Sequence, residues 1–323
     1  MSWRRRRASA ALLGAAVLAC CAGCSAGPFA APSVEIASSS RVGSDGYPTA
    51  LREYPATKYV SLLLEGQRLY SLRYWSRGIK VQGYLDVPAG PGPFPVLVDL
   101  HGGFPIPVPP QRNASGAYTP ELAAESANSG TIVFIPSYAG YEPSSGFVCS
   151  PYDCAVDALN GLHALAHLTG LRIKPHSTYA VGFSLGGFVA LDLAELDPQV
   201  RAVVADSPWP GAQAFTAWTK EVGVAHLDPV DLSFAIGVDT AFGERPTLLE
   251  RHNSLQASSI HVPVLIVGGT RDRRNPPSLI RFLAAELRAG RVPVTLHMLD
   301  AGHAPVTAQF FRIVRAWLAP RGL

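Results

Sequence analysis

Charged side chains are scarce in this sequence. Asp, Glu, Lys and Arg together make up 16% of its 323 residues, whereas hydrophobic residues make up 48%. This composition excludes an intrinsically disordered chain, because disorder requires low hydrophobicity and high net charge. The formal net charge is +3, and four of the 27 basic residues are the arginines at positions 4–7. The other 23 face 24 acidic residues, so no excess of positive charge indicates a nucleic-acid-binding surface.

The apolar run that follows these arginines is too short to cross a membrane. It covers residues 8–19, whereas a transmembrane helix needs roughly 20 residues. A basic segment, a short apolar run and then small residues are typical of an export signal. We therefore predict an export signal at residues 1–27, with the general secretory route and the twin-arginine route as alternatives.

Cysteine is also rare, and three of the five cysteines lie at the end of this signal. Cys20 follows Val-Leu-Ala and resembles the lipidated cysteine of bacterial lipoproteins, while Cys24 follows Ala-Gly and is the second candidate. Lipidation at either position predicts a cell-envelope lipoprotein that contacts the membrane through an N-terminal lipid anchor. The alternative is a plainly cleaved signal and a secreted protein.

The remaining two cysteines, Cys149 and Cys154, have four residues between them in a loop rich in Gly, Pro and Ser. In an oxidising compartment this spacing predicts a short disulfide, and two free thiols are the alternative. No second ligand pair lies nearby, so a zinc site is not predicted. No phosphate-binding glycine loop or haem motif occurs either, and we expect no metal or cofactor.

The chain changes character along its length. Residues 28–66 are rich in Ala, Ser, Pro and Gly, which predicts a flexible tether before a folded domain at 67–323. Two segments of that domain alternate apolar and polar residues, 69–75 and 79–85, and predict an antiparallel hairpin. Continuous apolar runs follow, typical of strands buried on both faces of a parallel sheet; they cover residues 95–100, 131–135, 178–182, 200–205 and 262–267.

Helical segments lie between these runs, at 155–169, 185–196 and 277–289. This alternation predicts an α/β fold with a doubly wound, mostly parallel sheet. The aromatic stretch 208–260 interrupts the alternation between two core strands. It predicts a helical cap over a site, with a purely structural insertion as the alternative.

The sequence Gly-Phe-Ser-Leu-Gly at 182–186 carries the strongest chemical signal. A predicted strand leads into it and a predicted helix follows, so Ser184 lies at a sharp strand-to-helix turn that glycines make possible. Such a turn exposes the serine hydroxyl at the edge of the sheet, next to a helix N-terminus that favours negative charge. We predict that Ser184 is a nucleophile; the alternative is an incidental serine.

A nucleophilic serine needs a base that a third group orients. Asp272 follows one predicted buried strand, and His303 follows another, 31 residues later. Both positions are at carboxyl ends of strands, at the same edge as Ser184, which predicts His303 as the base and Asp272 as the acid. The alternatives are a loop acid paired with an arginine and a helix-capping histidine, and Asp206 is the main rival for the acid.

Acyl transfer also needs donors for the developing oxyanion. The His-Gly-Gly sequence at 101–103 follows a predicted strand, so we assign these donors to the backbone N–H of Gly103 or Phe104 and to that of Leu185. Candidates for lining the substrate pocket are Tyr138, Trp209 and Trp218, and the alternative for the two tryptophans is packing inside the cap.

Taken together, His-Gly-Gly at 101–103, Gly-Phe-Ser-Leu-Gly-Gly at 182–187, Gly-Thr-Arg-Asp at 269–272 and Ala-Gly-His at 301–303 resemble serine hydrolases. The similarity is to the prolyl oligopeptidase and dienelactone hydrolase branches of the α/β-hydrolase superfamily, over residues 68–318. It implies an enzyme that cleaves a small-molecule ester or a short peptide through an acyl-enzyme.

Two departures from the prolyl oligopeptidase pattern favour an esterase over a peptidase. The chain has no room before residue 68 for the β-propeller of the larger peptidases, and it has Ser137-Tyr138 where those peptidases often carry Arg-Gly. Peptide hydrolysis is the alternative activity. A catalytically silent surface binding protein on the same fold is the alternative from another class.

Overall fold

The computed structural model describes residues 33–37, 43–53, 67–103, 130–147, 150–242, 255–305 and 307–323. The predicted export signal, with Cys20 and Cys24, lies outside these ranges, as do Phe104 and Cys149. Cys154 is buried on a helix. The signal, the lipidation and the Cys149–Cys154 disulfide therefore stay predictions. In the ranges that the structure describes, no helix is long and apolar enough to span a membrane.

Strands and helices alternate through most of the described chain. Its strands are β1 (Glu35–Ile36), β2 (Pro48–Glu53), β3 (Arg68–Ser76), β4 (Ile79–Val87), β5 (Phe94–Leu100), β6 (Ile132–Pro136), β7 (Leu168–Thr169), β8 (Ile173–Phe183), β9 (Val200–Asp206), β10 (Val264–Gly269) and β11 (Val294–Leu299). Its helices are α1 (Pro151–Leu165), α2 (Leu185–Leu196), α3 (Ala212–Val222), α4 (Pro229–Phe242), α5 (Pro277–Ala289) and α6 (Ala308–Leu318).

Nine of the described strands form one sheet, in the order β11-β10-β9-β8-β5-β6-β4-β3-β2. Neighbours from β11 to β6 run parallel, and the pairs β6–β4, β4–β3 and β3–β2 are antiparallel. The predicted α/β fold with a mostly parallel sheet is confirmed. Because parallel strands expose their carboxyl ends at one edge, this order gathers the loops after β5, β8, β9, β10 and β11 along that edge.

The parallel strands are apolar on both sides because helices cover both faces of the sheet. Along β5, Val96 and Val98 pack into one core cluster and Leu97 packs into a second. The first cluster also takes apolar side chains of α1, α2 and α5, and the second takes those of α6. This two-sided burial explains why the strands read as continuous apolar runs in the sequence.

The described residues 33–37 and 43–53 depart from the flexible tether predicted at 28–66, whose other residues lie outside the described ranges. Residues 48–53 form β2, which pairs with β3 in an antiparallel register, and Val34 is buried in the core. The sequence of β2, Pro-Thr-Ala-Leu-Arg-Glu, has little apolar alternation. An edge strand of this kind is held by hydrogen bonds to its neighbour, which its own residue pattern does not indicate.

The helix predicted at 155–169 begins and ends four residues earlier. Ser150 precedes its first turn, and its hydroxyl accepts a hydrogen bond from the N–H of Asp153 at 3.4 Å. Pro151 occupies the first turn, where it costs no hydrogen bond. The chain then leaves the helix at Ala166, because Leu168 pairs with β1.

The insertion between β9 and β10 is helical over α3 and α4, while residues 243–254 lie outside the described ranges. Phe215 of α3 is completely buried and packs against Trp209 and Trp218, with ring centroids 4.7 Å and 5.7 Å away. Phe188 of α2 belongs to the same cluster. The inserted helices therefore pack on the helix that follows Ser184.

Candidate active site

Ser184 lies in the turn between β8 and α2, with φ 54° and ψ −121°. This conformation is rare for a residue with a side chain and is typical of a strained nucleophile turn. The turn needs glycine on both sides: a Cβ at Gly182 would overlap the carbonyl of Gly186, and a Cβ at Gly186 would overlap the carbonyl of Leu100. The backbone packing of the sheet therefore requires these two glycines.

Asp272 follows β10 in a loop that fixes its carboxylate. One carboxylate oxygen, Oδ1, accepts hydrogen bonds from the backbone N–H of Arg274 at 2.8 Å and of Asn275 at 3.0 Å. The other oxygen, Oδ2, lies 2.9 Å from Nδ1 of His303. The Asp272 side chain is fully buried, and that of His303 is 26% exposed. This bond fixes the orientation of the imidazole ring.

The loops that carry Asp272 and His303 are also joined through the backbone. Thr270 N–H donates to the carbonyl of Leu299, and Arg271 N–H donates to that of Ala301, at 2.8 Å and 2.9 Å. The side chains of Arg271 and Asp300 form an ion pair at 3.0 Å, but both are largely exposed, so this pair contributes at most about 1 kcal/mol. The two backbone hydrogen bonds therefore align the Asp272 and His303 loops more than the ion pair does.

The backbone after β9 connects Ser184 to this pair of loops. Ser184 N–H donates to the carbonyl of Asp206 at 2.8 Å, and Trp209 N–H donates to the carbonyl of Ser184 at 2.9 Å. Ala304, next to His303, donates its N–H to the Ser207 hydroxyl at 3.0 Å. Among the described residues His303 bonds Asp272 and makes no hydrogen bond with Ser184. In free enzymes catalytic hydrogen bonds are often long and shorten on substrate binding.

Asp206, the rival for the acid, points elsewhere. Its carboxyl is buried and accepts a hydrogen bond from the Ser207 hydroxyl at 3.3 Å, and it makes no hydrogen bond with His303. The pKa of Asp206 is raised to about 7, mainly by burial and to a smaller extent by the nearby Asp272 carboxylate, while the Ser207 hydrogen bond opposes this rise. The Asp206 carboxyl is therefore not the hydrogen-bond partner of His303.

The loop after β5 carries the predicted oxyanion donors. A Cβ at Gly103 would overlap the Tyr141 hydroxyl, so this loop passes too close to Tyr141 for any larger residue. The His101 ring packs 4.2 Å from the ring of Tyr138, and its Nδ1–H donates to the carbonyl of Gly102 at 2.7 Å. Burial lowers the pKa of His101 to about 4, so the ring is neutral and orients the loop.

Leu185 supplies the other predicted donor. It is the first residue of α2, and the N–H groups of a first helical turn have no acceptor within the helix. Phe104 lies outside the described residues, so the choice between Gly103 and Phe104 stays open.

Known proteins share this fold, although no family model matches the chain. It is 28% identical over 212 residues to the uncharacterized peptidase YtmA of Bacillus subtilis. The aligned region covers 64% of this chain and 74% of that protein. Its structure is similar to a puromycin-hydrolyzing peptidase of Mycobacterium tuberculosis (TM-score 0.63, 19% identity, 80% of this chain and 39% of that one). It is also similar to the esterase Pf2001 of Pyrococcus furiosus (TM-score 0.60, 18% identity, 85% and 96%). The chain has the α/β-hydrolase fold.

The resemblance of this chain to serine hydrolases, which the motifs predict, is confirmed. An acylaminoacyl peptidase of Pyrococcus horikoshii is a further structural neighbour, with a TM-score of 0.63 at 14% identity. The chain spans 39% and 43% of the two peptidase chains and nearly all of the esterase chain.

The aromatic residues predicted to line the substrate pocket differ in how much surface they expose. Tyr138 is completely buried and Trp209 is 4% exposed, so in this structure both are packing residues that offer no surface to a substrate. Trp218 is half-buried and keeps some exposed surface. For Trp209 the alternative of packing inside the cap describes what is observed.

Three polar residues around the site make contacts that the sequence did not predict. Arg274 pairs through its guanidinium with Asp228 at 3.3 Å and with Asp231 at 3.4 Å, which ties the Asp272 loop to the start of α4. Asn275 and Ser207 bond each other. Ser207 directly follows β9, and Arg274 and Asn275 lie in the loop after β10. This position is the signal that the sequence offers, since Asp228, Asp231 and the Ser207–Asn275 contact are distant along the chain.

The raised pKa of Asp206 has a consequence for stability. The value of about 7 in the folded protein compares with about 3.9 in an unfolded chain. Between these values the folded protein binds one more proton here than the unfolded chain, so the free energy of unfolding falls as the pH rises and levels off above the folded value. We expect the free energy of unfolding of the wild type to fall by about 2 kcal/mol more between pH 5 and pH 7 than that of Asp206→Asn.

Urea denaturation at pH 5 and pH 7, followed by tryptophan fluorescence, measures this difference. The matched control is Glu221→Gln, which replaces an exposed carboxylate of α3 by its amide. Equal pH dependence in Asp206→Asn and the wild type would contradict the raised pKa.

Proposed function

We propose that this protein hydrolyses carboxylic esters through an acyl-enzyme on Ser184, with His303 as the general base and Asp272 as the acid. The hydrogen bond of 2.9 Å between His303 Nδ1 and Asp272 Oδ2 carries the proposal. With Nδ1–H donated to Asp272, the other ring nitrogen, Nε2, is the one able to accept the proton of a serine hydroxyl.

The reaction follows from these roles. Ser184 Oγ attacks the ester carbonyl carbon while His303 Nε2 takes the hydroxyl proton. The developing oxyanion is stabilised by the backbone N–H of Leu185 and of Gly103 or Phe104. His303 then protonates the departing alkoxide, which leaves an acyl group on Ser184. Water, activated by His303, attacks that acyl group and releases the carboxylic acid, and Ser184 regains its proton.

Peptide hydrolysis is the second candidate, and the relative named a peptidase favours it. The esterase neighbour supports the first candidate, because this chain matches it over 96% of its length, whereas it matches less than half of either peptidase structure. The silent binding protein is the least supported, since none of the three chemical groups of the proposed triad is missing.

A matched pair of substrates separates the candidates. An N-acylalanine p-nitrophenyl ester and the p-nitroanilide of the same N-acylalanine present one acyl group with two leaving groups. We expect hydrolysis of the ester that Ser184→Ala abolishes, and no enzymatic hydrolysis of the anilide. Anilide hydrolysis that Ser184→Ala abolishes would make the protein a peptidase, and no turnover of either substrate would favour the silent binding protein.

The proposed site of action is the cell envelope, on the strength of the signal-like residues 1–27 and the lipobox-like cysteine. Labelled palmitate supplied to bacteria that express the full chain tests this. We expect label in the wild type and in Cys24→Ala, but not in Cys20→Ala. Label that persists in Cys20→Ala and is lost in Cys24→Ala would place the lipid on Cys24. An unlabelled wild type would contradict lipidation.

A further inference from the structure

Ser207 occupies an unusual backbone position. It is the first residue after β9, it is completely buried, and its φ is 44°. A residue with a side chain is strained in this left-handed region, and such strain persists only where surrounding contacts fix the conformation. Neither the motifs nor the proposed triad gives Ser207 a role.

The contacts that fix Ser207 are hydrogen bonds from every polar group that it has. Its N–H donates to the carbonyl of Val267 at 2.7 Å, and its carbonyl accepts from the side-chain amide of Asn275 at 2.7 Å. Its hydroxyl accepts from the N–H of Ala304 at 3.0 Å and donates to Asp206 Oδ1 at 3.3 Å.

These bonds lead to each of the loops that carry the proposed catalytic residues. Asn275 donates its backbone N–H to Asp272, and Ala304 directly follows His303. On the other side, the carbonyl of Asp206 accepts from the N–H of Ser184. Ser207 is therefore the point where the nucleophile turn, the acid loop and the histidine loop are connected.

We propose that Ser207 is a positioning residue that holds the His303 loop in line with Asp272 and Ser184. The proposal rests on the proposed function of these three residues. The hydroxyl is the part that acts, because it is the acceptor for the backbone next to His303. Without it the N–H of Ala304 loses its partner and the histidine loop can shift, and a displacement of about 1 Å at a catalytic group costs about 100-fold in rate.

Two substitutions remove the hydroxyl in different ways. Ser207→Ala keeps the strained backbone, whereas Ser207→Gly removes the strain as well, since glycine adopts positive φ freely. The matched control is Ser144→Ala, which also deletes a loop hydroxyl that accepts a backbone N–H, that of Gln82 at 2.9 Å. We expect kcat for the ester to fall about 10- to 100-fold in both Ser207 variants, with KM within about twofold of the wild type. Ser144→Ala should keep wild-type kcat.

A second readout reports on His303 itself. The proton shared between His303 Nδ1 and Asp272 gives a downfield resonance in the proton NMR spectrum, and we expect it to broaden or disappear in Ser207→Ala but not in Ser144→Ala. A Ser207 variant with wild-type kcat and an unchanged resonance would overturn the proposal. So would a KM effect alone, or loss of near-ultraviolet circular dichroism in both Ser207 variants, which would make the residue a folding requirement. If the wild type itself has no esterase activity, the proposed function fails instead.

Discussion

Replacing Ser184 by alanine is expected to lower kcat/KM for a p-nitrophenyl ester by about 10⁴- to 10⁶-fold. The proposed reaction forms a bond to Ser184 Oγ, and without that oxygen only substrate binding and the oxyanion donors contribute. The fold should persist, because alanine fits the same backbone conformation without a larger side chain. Steady-state rates of the purified wild type and the purified variant give this ratio, once each is corrected for its separately determined fraction of folded protein.

The control for Ser184→Ala is its thermal unfolding, which should resemble that of the wild type. The neighbouring backbone bonds of Ser184, to Asp206 and Trp209, do not involve its hydroxyl. A variant that unfolds at a similar temperature but keeps more than a tenth of the activity would show that Ser184 is not the nucleophile.

The second large effect concerns the acid. Asp272→Asn should lower turnover by about 10³- to 10⁴-fold, because an amide in place of the carboxylate favours the wrong tautomer of His303 and cannot stabilise the imidazolium. Asp206→Asn is the matched control, since it makes the same chemical change in a neighbouring buried carboxyl. It should keep activity within about tenfold, because Asp206 makes no hydrogen bond with His303 and an asparagine oxygen still accepts from Ser207.

Turnover by the two variants at pH 8 decides between the carboxyls. At this pH the wild-type Asp206 carboxyl is mostly ionised, since its pKa is about 7. A large loss in Asp206→Asn with little loss in Asp272→Asn would reverse the assignment.

The sequence is informative where burial or chemistry fixes the residue type. The runs that became β5, β8, β9 and β10 are mostly apolar because both faces of the sheet are covered, so they could be predicted. Ser184 could be placed because its turn requires glycine at 182 and 186, and the structure shows the carbonyls that a side chain there would meet.

Other features depend on contacts between distant residues, which no local pattern records. β2 is an edge strand held by β3, and its residues resemble those of a loop. Trp209 was as compatible with a pocket as with a core, and only the position of Phe215 and Phe188 places it in a core. The bonds of Ser207 join it to Asn275 and Ala304, which are 68 and 97 residues away.

The reactivity of Ser184 toward a fluorophosphonate tests the central claim most directly. In the proposed site His303 removes the hydroxyl proton, Ser184 Oγ attacks phosphorus and fluoride leaves, so the protein gains one phosphonyl group. Intact mass spectrometry should show one adduct per chain in the wild type, located by digestion on the peptide that contains Ser184, and none in Ser184→Ala. A wild-type protein that stays unmodified, or a Ser184→Ala variant that gains the same adduct, would contradict the account.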